Sequence, residues 1–86
     1  MDWEVKIETK LKDGILDPQG KAVKTGLKSL GYNNVESVHV GKYLELVLEN
    51  IEQKNKAAKM VEEMCDKLLA NPVIEDYSYH IKEMEG

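Results

Sequence analysis

Apolar and polar positions alternate from the start of the chain. Trp3, Val5, Ile7, Thr9 and Leu11 are interleaved with Glu4, Lys6, Glu8, Lys10 and Lys12. A period of two is that of a strand with one buried and one wet face. Asp13-Gly14 turns the chain, and Asp17-Pro18 reads as a helix cap followed by proline at the first helical position, where its missing N–H costs nothing. Val23, Leu27 and Leu30 fall at i, i+4 and i+7, a narrow apolar stripe, and Gly31 supplies the left-handed residue that ends many helices.

Two further apolar sets, Val35, Val38, Val40 and then Leu44, Leu46, Leu48, read as antiparallel strands joined around Gly41-Lys42. A two-residue loop puts Val38 and Val40 on the face of Glu45 and Glu49, away from the leucines. A three-residue loop of Gly41, Lys42 and Tyr43, or a bulge, sets Val40 opposite Leu44 and keeps the apolar residues together. From Ile51 to Ala70 the charges crowd one side while Ala57 or Ala58, Val61, Met64 or Cys65, and Leu68 recur at helical spacing. Asn71-Pro72 stops this second helix. Tyr77, Tyr79 and Ile81 alternate with Asp76, Ser78, His80 and Lys82 in a closing strand.

Strand, helix, strand, strand, helix, strand folds most simply as a ferredoxin-like α+β domain spanning residues 1–86, a four-stranded antiparallel sheet with both helices on one face. The other face then carries Glu4, Lys6, Glu8, Lys10, His39, Glu45, Asp76, Ser78 and His80, an ordinary solvated face or a polar surface for self-association. A chain of 86 residues buries about 60–65% of the surface its unfolded form exposes, so a second copy or another partner tends to cover the remainder.

Composition narrows the function. All twelve basic residues are lysine and the net charge is −4. Guanine edges and phosphoryl groups are read preferentially by arginine, so nucleic-acid binding is not expected. No apolar run approaches the length of a membrane span, and the first ten residues lack the apolar block of a secretory signal, which points to the cytoplasm. The single cysteine, Cys65, sits on the second helix's buried stripe and reads as a small hydrophobe. His39 and His80 fall on polar strand faces, too few for a closed zinc site. No acid–base pair or nucleophile set emerges, so no residue is assigned a catalytic or metal-binding role.

Leu16-Asp17-Pro18-Gln19-Gly20-Lys21 opens the first helix, and helix N-termini can hold anions, but Asp17 already fills the cap with negative charge, which favours plain capping. Gly20 and Gly26 inside that helix each cost about 1 kcal/mol relative to alanine, which suggests close approach by another backbone or a partner. Gly41-Lys42-Tyr43, at the expected hairpin tip, offers a cation and an aromatic for docking, or serves the turn alone.

Leu11 to Val23, Ser29-Leu30-Gly31-Tyr32, Val38 to Tyr43 and Asn71 to Tyr77 together resemble the PurS family, the small subunits of phosphoribosylformylglycinamidine synthase in purine biosynthesis. The resemblance implies a non-catalytic subunit that bridges a synthetase and a glutaminase, so that ammonia from glutamine reaches an ATP-activated formylglycinamide ribonucleotide. It implies that ATP, Mg and glutamine are used by the complex and no cofactor by this chain, and that the chain forms a homodimer or homotetramer. Partner contacts then fall at Asp17, Gln19, Gly20 and Lys21, and at Gly41, Lys42 and Tyr43. The competing reading is a ligand-binding regulatory module, since this fold also serves as an amino-acid sensor.

Overall fold

The computed structural model describes residues 1–84, so the expected domain end at residue 86 lies outside the described residues. Strand β1 (Asp2–Leu11) is central, flanked by β2 (Lys42–Leu48) and β3 (Glu75–Met84), and both pairings are antiparallel. Val5 lies between Leu46 and Ile81, and Ile7 between Leu44 and Tyr79, so one face collects the apolar residues of all three strands. Helix α2 (Lys54–Met64) and the π turn that continues it (Cys65–Leu69) cover that face with Ala57, Val61 and Cys65. Trp3 closes one end of the core, its indole N–H donating to the Ile51 carbonyl at 2.8 Å.

The π turn re-aims the end of this helix. Continued α-helical spacing from Val61 would turn Leu68 inward. The Ala70 N–H instead bonds the Cys65 carbonyl five residues back, and the wider turn leaves Leu68 82% exposed while Ala70 is buried.

Three strands, not four, form the sheet, which corrects the expected four-stranded arrangement. Residues 35–40 form no regular element and belong to no ladder. Their bonds run back to helix α1 (Pro18–Ser29): the Val40 N–H donates to the Asp17 carboxylate at 3.0 Å, and Lys24 Nζ donates to the Glu36 carbonyl at 2.6 Å. The segment is therefore tied along α1 rather than beside β2. The expected hairpin is absent as well, because Lys42 and Tyr43 are strand residues opposite Thr9 and Glu8 rather than a loop. Positive φ occurs at Gly14, Gly31 and Asn50 but not at residues 41–43, so no primed hairpin turn reverses the chain there.

Nor do both helices lie on the sheet. Helix α1 begins and ends as its sequence predicts, capped by Asp17 and closed at Gly31 (φ 99°), yet Gly20 is its one buried residue. Val23 and Leu30 of its apolar stripe are exposed. Residues 13–40 form an arm that leaves one end of the sheet. The chain measures 51 × 28 × 15 Å with a radius of gyration of 16.9 Å, against about 12 Å for a compact domain of this length.

Candidate functional site: the elbow between arm and sheet

Four of the seven residues singled out by sequence converge where the arm meets the sheet. Asp17 precedes α1, and its two carboxylate oxygens serve two elements: Oδ1 accepts from the Gly20 N–H at 2.8 Å and Oδ2 from the Val40 N–H at 3.0 Å. These bonds, the one from Val40 foremost, hold its carboxyl below the usual aspartate range, with His39 adding a smaller favourable charge. A Cβ at Gly20 would collide with the Val38 carbonyl, so the glycine permits a backbone-to-backbone contact that fixes residues 35–40 on the helix start. One residue past Val40, Gly41 rests on the Thr9 carbonyl of β1 with the same lack of room.

Lys42 then reaches across the sheet end. Its Nζ donates to the Leu69 carbonyl at 3.0 Å and lies 3.5 Å from Glu75 Oε1. Gln19 and Lys21 are exposed on the first turn of α1. Tyr43 stands apart from this group, on the open face of the sheet, where its hydroxyl donates to Glu45 at 2.9 Å. That bond to a carboxylate, with some burial, raises the phenol above its usual range.

Sequence reasoning missed the other half of the elbow. Glu75 accepts from the Asn71 N–H at 2.7 Å and from the Thr9 hydroxyl at 3.4 Å, and the Glu75 N–H returns to the Asn71 carbonyl at 2.7 Å. The Asn71 N–H, more than nearby Lys42, holds the Glu75 carboxyl below its ordinary range. Two signals were available. Thr9 is a polar residue in the buried phase of β1 and needs a partner, and a Glu75 four residues after Asn71 can close a ring in which its carboxylate accepts from the Asn71 N–H while its own N–H donates to the Asn71 carbonyl.

Chemically, this is a joint and not a reaction centre. Its carboxylates are committed to backbone N–H groups. Burial pushes the Cys65 thiol up, away from the reactive thiolate. Among the described residues no group of three or more His, Cys, Asp or Glu could hold a metal ion, and no helix is long and apolar enough to cross a membrane.

Residues 4–83 match the family described as PurS, phosphoribosylformylglycinamidine (FGAM) synthase. The Bacillus subtilis phosphoribosylformylglycinamidine synthase subunit PurS is 48% identical over 82 residues, 95% of each chain. Its crystal structure superposes with a TM-score of 0.82, covering 94% of this chain and 99% of that one. The Methanocaldococcus jannaschii PurS, described as one of the subunits of formylglycinamide ribonucleotide amidotransferase in the purine biosynthetic pathway, is 41% identical, with a TM-score of 0.83 and coverage of 96% and 99%. A chain of the Thermotoga maritima PurLQS structure is 27% identical with a TM-score of 0.84, covering 95% of this chain and 99% of that chain. Matched along nearly its whole length in sequence and in shape, the chain belongs to the PurS family.

Proposed function

We propose that this chain is the small, non-catalytic subunit of phosphoribosylformylglycinamidine synthase in purine biosynthesis, working in the cytoplasm with a synthetase of PurL type and a glutaminase of PurQ type. The observation that carries this is family membership over residues 4–83, joined to a likeness of 0.84 in TM-score to a chain of a PurLQS structure. The elbow's chemistry agrees, since its ionisable groups hold backbone in place and leave none poised to move a proton.

In this reading the chain bridges its partners, so that ammonia released from glutamine is delivered to the ATP-activated formylglycinamide ribonucleotide. ATP, Mg and glutamine belong to the partner subunits, because this chain offers neither a glycine-rich phosphate loop nor, among its described residues, an acidic metal cluster. Asp17, Gly20, Gly41 and Lys42 set the direction of the arm, while exposed Gln19, Lys21 and Tyr43 make direct contacts with partners. The chain also associates with itself, as a homodimer or a homotetramer.

Reconstitution tests the reading. The matching synthetase and glutaminase, mixed with this chain, turn over formylglycinamide ribonucleotide with glutamine, and omitting the chain abolishes glutamine-dependent product. Full activity in its absence overturns the proposal.

A further inference from the structure

The face of the sheet turned away from α2 is polar, and its charges stand in a definite order. Alternation along β1 puts Asp2, Glu4, Lys6, Glu8 and Lys10 on it, and Lys12, the residue after the strand, continues the row by pairing with Asp76 at 3.8 Å. Two acids, a base, an acid and two bases follow one another. Turned end for end, that row meets the opposite charge at every position: Asp2 faces Lys12, Glu4 faces Lys10, and Lys6 faces Glu8. The flanking strands obey the same rule about the same centre. On β3 the register sets Lys82 beside Glu4 and Asp76 beside Lys10, so reversal brings Lys82 onto Asp76 and His80 onto Ser78. On β2, Tyr43 beside Glu8 comes onto Glu45 beside Lys6, a hydroxyl–carboxylate pair of the kind these two residues already make within one chain at 2.9 Å.

We propose that two copies of the chain stack open face to open face about a two-fold axis that runs between the sheets, across the strands, at a level midway from Lys6 to Glu8. Such stacking rests on the self-association proposed above and gives it a surface. Charge fixes both direction and register. With the axis along the strands instead, each β1 residue faces its own counterpart, Glu4 on Glu4 and Lys6 on Lys6, and like charges directly opposite repel. Sliding the antiparallel arrangement until it centres on Lys6 sets Glu4 against Glu8, and centring it on Glu8 sets Lys6 against Lys10. One arrangement is left. Stacked sheets lie about 10 Å apart and cross at about 30°, a gap that an extended lysine and an extended glutamate span together and a rotation that the pairs next to the axis tolerate best. Lys6 and Glu8 therefore carry the recognition. Val47, half exposed on the β2 side, comes over Gly41, which has no side chain to obstruct it. A face three strands wide lies at the low end of interface sizes, below about 1,200 Å² in total, and its ion pairs are exposed to salt, so stacking adds a salt-sensitive step to the assembly.

Charge reversal on either side of the axis tests this. Lys6→Glu and Glu8→Lys each set like charges opposite one another twice when a variant pairs with itself. One copy of each variant sets the new glutamate against the new lysine and leaves the other Lys6–Glu8 pair native. Sedimentation of the wild type is expected to show a species in about 0.01 M salt, where the Debye length is about 30 Å, that halves in mass in about 1 M salt, where it is about 3 Å. Each variant alone, its fold checked by circular dichroism, is expected to stay at the smaller mass in low salt, and an equimolar mixture of the two to recover the larger one, which loss of fold would not permit. A wild-type mass that ignores salt, variants that associate as the wild type does, or a mixture that fails to combine overturns the stacking while self-association through another surface stands. A wild-type monomer under every condition overturns both.

Discussion

Asp17 does two jobs with one carboxylate. The first was legible, because Asp-Pro before an apolar stripe is a helix cap. The bond to Val40, 23 residues later, was not, because nothing local to either residue encodes it. Both bonds favour the ionised form, so Asp17 in the folded chain titrates below its ordinary value of 3.8. The stabilisation is therefore present above the ordinary value and is lost as the pH falls through the depressed one. The amide proton signals of Gly20 and Val40 are expected to titrate together, with a common midpoint below 3.8. Asp17→Asn abolishes that titration and speeds hydrogen exchange at Val40, since one amide oxygen replaces two carboxylate oxygens. The helix-interior glycines split in the same way. Gly20 marks a close backbone approach, as its cost implied, whereas a Cβ at Gly26 meets nothing within 4 Å in this chain. Gly20→Ala forces the Val38 carbonyl away and lowers stability by about 1–3 kcal/mol, as overpacked sites do, measured by urea unfolding followed by circular dichroism.

Among the elements, periodicity identified β1, α1, α2 and β3, because each has a single apolar phase that repeats along its length, even though in α1 that phase lies largely exposed. It also read residues 35–40 as a strand, which they are not, because phase reports which face a strand would bury and not which strand would lie beside it. Residues 35–40 accordingly lie outside the three-stranded sheet. The last turn of α2 escaped notice for another reason: a π turn shifts the phase by about one residue, and the sequence offers Leu68 and Leu69 side by side for either register. The body is where a deletion is felt most. Ile7 is fully buried between Leu44 and Tyr79 under α2, so Ile7→Ala is expected to cost about 2–5 kcal/mol, read from the urea midpoint of the assembled protein.

At the scale of the molecule, composition excluded more than it assigned. A chain without arginine, a second thiol or a cluster of acid–base groups was legible as one that works through surfaces, and the seven residues chosen for partner contact mostly fell at a single joint. Sequence pattern could not reveal that this joint opens the molecule, because periodicity marks which face an element presents and not where in space the element is carried. The self-association proposed above makes folding depend on mass action. The melting temperature is expected to rise by several degrees between low and high micromolar protein, and a midpoint independent of concentration would contradict that expectation.

The lone tryptophan gives this architecture an optical consequence. Trp3 is sealed between the sheet and the chain leading into α2, with its indole nitrogen bonded to Ile51, while the far end of the molecule carries Tyr32 on an exposed turn. Tryptophan emission therefore follows the body and is blind to α1, whereas ellipticity at 222 nm records both helices. The two signals are expected to melt at different temperatures, turning a single indole into a gauge of whether arm and body come apart as one unit.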